Sequence, residues 1–124
     1  MSFWNFRQNN SGGSFVFDAI RGISVNVIVE ADSADEAIAR AEQIGVYFDG
    51  CAAGYDCTCC GDRWYRPWND DEGTEAPKIY DEDVSNGVSR GAGGWSDDGI
   101  EGYIHYRDGR VVPVRIQETR EDSV

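Results

Sequence analysis

The sequence predicts a small α+β domain, an antiparallel sheet with one helix packed on a face, and three observations carry that expectation. Residues 23–30, ISVNVIVE, alternate so that Ile23, Val25, Val27 and Val29 share one face, the pattern of a half-buried strand. Ala34, Ala37, Ile38, Ala41 and Ile44 recur at helical spacing behind a Ser33/Glu36 capping box, and Gly45 stands where a helix C-cap belongs. Residues 102–116, GYIHYRDGRVVPVRI, place Asp108-Gly109 between two β-rich arms, a hairpin signal.

The remaining elements follow in chain order. Residues 2–7, SFWNFR, are rich in aromatics and read as a strand. The QNNSGGS stretch after it is a turn or exposed loop. Residues 14–18, SFVFD, set Phe15 and Phe17 against Ser14, Val16 and Asp18, a second strand expected to pair with the first. The apolar face of the helix is mostly alanine, which lets it lie close against a sheet. VYFDG then leads directly into a cysteine-rich turn. Residues 69–99 are dominated by Asp, Glu, Gly and Ser, with Ile79, Val84 and Val88 as the branched aliphatics. They read as a long acidic, partly mobile loop that Trp95 pins back to the body. Pro113 places the last arm at an edge or a bulge, and the polar residues 117–124 read as a frayed tail. The order is β-β-β-α, Cys-rich turn, acidic loop, β-hairpin.

At 124 residues the chain suits one domain, 1–124, with a core of moderate size. Apolar residues are 40% and aromatics 12%, which places it among folded proteins. No apolar run approaches the roughly 20 residues that cross a bilayer, and no signal peptide opens the chain, so a cytoplasmic location is expected. The 23 acidic and 11 basic residues give a net charge of −12. Phosphate backbones repel such a chain, so no direct nucleic-acid binding is expected. An acidic surface meets basic protein surfaces or imitates DNA, and it also serves solubility alone. All the basic residues but Lys78 are arginine, a bias that GC-rich coding also produces.

All four cysteines lie within residues 51–60, as Cys51, Cys57, Cys59 and Cys60. Cys57-Thr58-Cys59-Cys60-Gly61 contains the C-x-x-C-G turn of a zinc knuckle, in which two thiolates converge on one ion. Structural zinc needs four ligands. Cys51 supplies a third, and the fourth is Cys59, His105 or an aspartate among Asp49, Asp56 and Asp62. One structural zinc leads three competing readings: reduced structural thiols, a disulfide from Cys51 to Cys57 or Cys60, and a redox pair.

Two further stretches offer binding chemistry. Asp62, Arg63 and Trp64 follow the cysteines, and an arginine beside an indole at a tight turn holds an anionic or planar ligand by bidentate bonds and stacking. The bland alternative is that Asp62 and Arg63 close the turn while Trp64 enters the core. Asn9, Asn10, Ser11, Gly12 and Gly13 offer amides and open backbone N–H groups to a polar ligand, without the spacing of a P-loop. Tyr47 and Asp49, in YFDG, complete this candidate pocket. His105 is the single histidine, and with Tyr103 and Arg107 on its strand face it reads as a packed or a surface side chain. Paired carboxylates on an acidic loop lack the setting that separates two pKa values, so no catalysis is expected.

QNNSGGSF, VIVEA with its capped helix, GVYFDGC and DCTCCGDRW together resemble a group of small uncharacterised proteins encoded by tailed bacteriophages, over approximately residues 5–66. The resemblance implies a phage-encoded protein acting in the cytoplasm of an infected bacterium, and brings no activity. The expectation is a non-catalytic counter-defence protein that sequesters a small polar or nucleotide-like host molecule. The alternative is an acidic inhibitor or DNA mimic bound to a host protein. Exposed aromatics and edge strands permit a homodimer without requiring one.

Overall fold

The computed structural model of the chain describes residues 2–9, 15–54, 61–65, 73–79, 82–84 and 100–115. Its elements are β1 (Ser2–Arg7), β2 (Asn26–Ala31), α1 (Ala34–Ile44), α2 (Gly50–Ala53), β3 (Lys78–Ile79), β4 (Glu82–Asp83), β5 (Ile100–His105) and β6 (Val111–Arg115). Four strands form one sheet in the order β1-β2-β5-β6, and β3 pairs with β4 in a short ribbon. The fold is α+β.

The predicted helix is present with its caps. Ser33 Oγ accepts from Glu36 N at 3.1 Å, and Glu36 Oε1 reaches back to Asp32 N at 2.7 Å. Gly45 closes the other end by donating to Ala41 O. Such a cap contributes about 1 kcal/mol. Ala34, Ala37, Ala41 and Ile44 are buried against Trp4, Phe6, Val27, Val29 and Ala31 of the sheet.

The sheet is mixed, which corrects the antiparallel expectation. β1 runs antiparallel to β2 and β5 antiparallel to β6, but the central β2–β5 pair is parallel. A parallel pair needs a crossover, and here the chain between β2 and β5 contains α1. The partner strand begins 56 positions beyond the end of α1, so local pattern could not reveal it. Parallel pairs require cover on both faces. β2 accordingly has Val27, Val29 and Ile28 fully buried, on alternate faces. Ile28 packs with Phe3, Ile104 and Val114 beneath Ile79 and Val84.

That second cover comes from part of the acidic stretch. Of the residues read as an acidic, partly mobile loop, 73–79 and 82–84 pack on the sheet through Ile79 and Val84, both 1% exposed. Thr74 also exchanges two backbone hydrogen bonds with Phe3 along β1, at 2.8 and 2.9 Å. Val88, Trp95 and the 117–124 tail lie outside the described residues.

The second predicted strand is likewise absent among its described residues. Residues 15–17 belong to no strand, and Val16 and Phe17 are 45% and 49% exposed. Asp18 instead forms an isolated bridge with Ile23. The physical reason lies in Gln8, whose side-chain amide donates to Val16 O and accepts from Val16 N. It satisfies the backbone of Val16 as a neighbouring strand would, so the segment needs no strand partner. Ile23 is drawn into the bridge, and β2 begins at Asn26 rather than at residue 23.

The C-terminal hairpin forms as expected. Gly109 donates to Tyr106 O and Tyr106 N to Arg110 O, closing the turn that holds Asp108. Pro113 sits in β6, which ends the sheet among the described residues. The β5–β6 register shifts between Ile100 and Gly102, leaving Glu101 fully buried at the bulge. Gly102 faces Asn26 across the parallel pair, where an added Cβ would lie 2.8 Å from Asn26 O.

Candidate functional site

β1 delivers Arg7 and then Gln8 and Asn9 to one end of the sheet. The chain after α1 brings Tyr47, and the residues before Trp64 bring Asp62 and Arg63 to the same place. These three separated segments hold one another by hydrogen bonds. Arg63 Nη1 donates to Gln8 Oε1 at 2.9 Å and Arg63 Nε to the Tyr47 hydroxyl at 3.2 Å. Asn9 N donates to Arg63 O at 2.7 Å, and Asn9 Nδ2 to Asp62 O at 3.1 Å. Asp62 Oδ1 in turn accepts from Cys51 N at 2.9 Å, at the start of α2. Gln8 Nε2 completes the network on Ser24 O at 3.0 Å.

Charge and burial set what this cluster can do. Gln8 is 2% and Arg63 8% exposed, so the guanidinium is held inside, against an amide oxygen and a phenol. A buried charge requires such partners. Trp64, 2% exposed, turns into the core with Phe6, Phe48 and Val46. Arg63 and Trp64 therefore serve the interior at this turn. Asp49 has the left-handed backbone, φ 58°, immediately before α2. Asp is among the side chains that tolerate this conformation.

Outward from the network lies a shallow depression of about 400 Å³, lined by Arg7, Gln8, Asn9 and Tyr65. Tyr65 is 57% exposed and folds back so that its hydroxyl lies 2.8 Å from where a Cβ on Gly61 would be. Gln8 is buried and spends its amide on the network, so this floor presents the half-buried Arg7 and Asn9 side chains and the Tyr65 ring. It can hydrogen-bond an anionic or polar group and stack a planar one. A second depression of about 310 Å³ beside α1 is lined by Glu30, Glu36, Arg40 and Arg107 among others. There Arg107 is engaged with Asp32 at 2.6 Å and Glu36 at 3.6 Å, and its N–H with Glu30.

Of the sequence-predicted binding residues, Asn9, Tyr47, Asp62 and Arg63 meet in one network, and Asp49 and Trp64 flank it. Asn10, Ser11, Gly12 and Gly13 lie outside the described residues, as do Cys57, Cys59 and Cys60. Sequence reasoning missed Arg7 and Tyr65, and it took in Gln8 only as the first letter of QNNSGG without singling it out. Gln8 and Tyr65 directly adjoin the motifs Asn9–Gly13 and Asp62–Trp64, and that adjacency was the available signal. Nothing in the sequence distinguishes a glutamine that will be buried.

The metal expectation reaches one described cysteine, Cys51, half-buried with Asp62 on its backbone N–H. No group of three His, Cys, Asp or Glu that could hold a metal occurs among the described residues. His105 is placed elsewhere. It is 2% exposed on β5, and its Nε2 donates to Gly22 O at 2.8 Å. Burial pushes its pKa below the ordinary value, opposed by the Gly22 hydrogen bond and assisted by the Arg40 charge. No helix among the described residues is long and apolar enough to cross a membrane.

No curated protein and no solved structure matches the chain. A family model does match, over residues 1–120, and that span takes in β1, the Gln8–Arg63–Tyr47 network and the hairpin alike. The chain therefore belongs to the family described as a domain of unknown function, DUF7296.

Proposed function

We propose that this chain is a non-catalytic binding protein that captures a small polar or nucleotide-like molecule in the depression lined by Arg7, Gln8, Asn9 and Tyr65. The observation that supports it most is the network behind that floor. Three segments far apart in sequence are locked together by side-chain hydrogen bonds, two of them on a buried guanidinium. Such a network holds the exposed groups in place before a ligand arrives, which lowers the ordering cost of binding. An Arg7 guanidinium in a chain of net charge −12 gives the site a local preference for an anionic group. Within this proposal the protein is phage-encoded and works as a counter-defence sponge in the bacterial cytoplasm. Within the same proposal, Cys51, Cys57, Cys59 and Cys60 hold one structural zinc.

The test is native mass spectrometry of protein purified gently from bacterial cells, followed by titration with mononucleotides and inorganic phosphate. Extra mass in the nucleotide range is expected on the natural chain. It is lost in Tyr65→Ala and Arg7→Met, whose melting temperatures stay close to the parent. Arg63→Ala and Trp64→Ala lose capture only by unfolding, because both side chains are interior. A bare polypeptide that also fails to bind either probe overturns the proposal.

A further inference from the structure

On the side of the sheet that carries His105, the chain makes a tight turn that bears an apolar surface. Asp18 N and Ile23 O, and Ile23 N and Asp18 O, are each 2.9 Å apart, so the turn is closed by a reciprocal pair of backbone hydrogen bonds. Asp18 Oδ1 accepts from Arg21 N at 3.1 Å, and the two side chains form an ion pair at 3.6 Å. Gly22 has φ 76°, and an added Cβ would lie 2.7 Å from His105 Cε1 and 2.9 Å from Val111 Cγ1. The turn is thus seated on His105, which bonds the Gly22 carbonyl. Gln8 anchors the approach to it at Val16.

What this ordered turn presents is apolar. Ile20 is 99% exposed, Phe17 49%, and Val16 and Val111 45% each. Isoleucine is among the residues most often fully buried, and a contiguous exposed apolar patch on a fixed backbone is a hallmark of an interaction surface. Beside it runs a groove of about 230 Å³ lined by Phe17, Ala19, Ile23, Ile100 and Tyr103 with Ser24. The patch thus pairs a projecting side chain with a recess, the anatomy of an interface hot spot.

Charge selects the occupant. Asp18 and Arg21 neutralise each other within the turn, while the chain as a whole carries −12. A second copy would bring the same excess of negative charge, and so would a nucleic acid. A protein with a basic surface is attracted by that field and can bury the apolar turn at the centre of the contact. We propose that the turn 18–23, with Phe17 and Ile20 as its anchors, is a docking surface for a basic protein partner. This site is separate from the Arg7–Tyr65 depression and stands whether or not that depression binds a small molecule.

The experiment places a photo-cross-linking amino acid at position 20 in the full chain expressed in bacterial cells, with position 39 on the exposed face of α1 as control. The expected result is one discrete protein adduct from position 20 that is absent at position 39 and carries a net positive charge. The purified adduct partner then binds the natural chain with a Kd weakened about tenfold or more by Ile20→Ser or Phe17→Ser. Its association rate falls as salt rises. Because Ile20 is fully exposed, Ile20→Ser melts like the parent, so loss of binding is not loss of fold. Absence of an adduct specific to position 20 overturns the proposal. So does an adduct with a second copy or with an acidic protein, or a Kd indifferent to both substitutions.

Discussion

Gln8→Leu is the sharpest perturbation of the buried network, because leucine keeps the bulk and the burial while removing every polar contact. Gln8 serves four groups: Val16 O, Val16 N, Ser24 O and Arg63 Nη1. Val16 is 45% exposed, so water can replace much of what its backbone loses. Ser24 and Arg63 are 1% and 8% exposed and cannot be rescued so readily. A neutral hydrogen bond contributes about 1 kcal/mol and one to a charged group about 2 kcal/mol, with a further cost for groups left buried and unmade. The substitution should therefore cost about 3–4 kcal/mol. For a chain of this size that lowers Tm by roughly 10–15 °C. Urea unfolding followed by circular dichroism measures it, with an unchanged m-value confirming that the same native structure is being unfolded. Gln8→Glu keeps an acceptor for Arg63 but turns a carboxylate oxygen toward two carbonyls, and should fall between parent and Gln8→Leu. If Gln8→Leu costs less than about 1 kcal/mol, the network does not hold these segments together and does not preorganise the depression in front of it.

Three further outcomes follow from particular contacts. His105 is held with its pKa below the unfolded value of about 6.5 by burial, so the unfolded chain binds the proton more readily. Stability is then complete above about pH 6.5 and declines as pH falls through the window down to the folded pKa; His105→Gln should flatten that part of the unfolding free energy against pH, and an identical slope in both proteins would refute the assignment. Gly102→Ala forces a Cβ to within 2.8 Å of Asn26 O, a backbone atom that cannot step aside, and should cost about 1–3 kcal/mol in a thermal melt, whereas a neutral result would mean β2 and β5 are not so closely apposed. If Cys51, Cys57, Cys59 and Cys60 hold zinc, a chelator should lower the melting temperature and release one metal ion per chain, because metal binding is linked to folding; melting that ignores the chelator removes the zinc.

The parts of the fold that were legible in the sequence are those decided within a dozen residues. The Ser33/Glu36 box, the alanine stripe of α1 and the Asp108-Gly109 hairpin each contain their own cause, and each forms where the pattern places it. The parts that were not legible depend on partners far away. SFVFD alternates as a strand should, but Gln8 takes over the hydrogen bonding of Val16, and one side chain eight positions back removes the need for a ladder. The parallel β2–β5 pair is invisible to local pattern, since Asn26 and Gly102 meet across 76 positions. The acidic composition of residues 69–99 hid the fact that a ribbon needs few apolar side chains to cover a sheet face. Among the described residues of that stretch, Ile79 and Val84 join Ile28 and Ile104 in the core on that face.

The candidate site shows the same division at finer scale. Asp62, Arg63 and Trp64 adjoin in sequence and read either as one ligand-facing group or as a turn closed by Asp62 and Arg63 with Trp64 in the core; the chain turns so that each does something different, and Trp64 does enter the core. Asp62 holds the backbone of Cys51, Arg63 bonds Gln8 and Tyr47, and Trp64 packs with Phe6 and Phe48. An arginine emerging from a tight turn cannot be judged inward or outward from sequence, because the answer depends on whether an acceptor is waiting inside. Here Gln8 Oε1 and the Tyr47 hydroxyl are waiting, and burial of the guanidinium follows. That capture leaves the outward-facing duties to the neighbours on either side, Asn9 and Tyr65, and to Arg7 one turn of the pleat away. The proposed binding surface is thus displaced by one or two residues from the one the motif letters suggest, and substitutions at Arg63 and Trp64, both interior, would report on folding before they reported on binding.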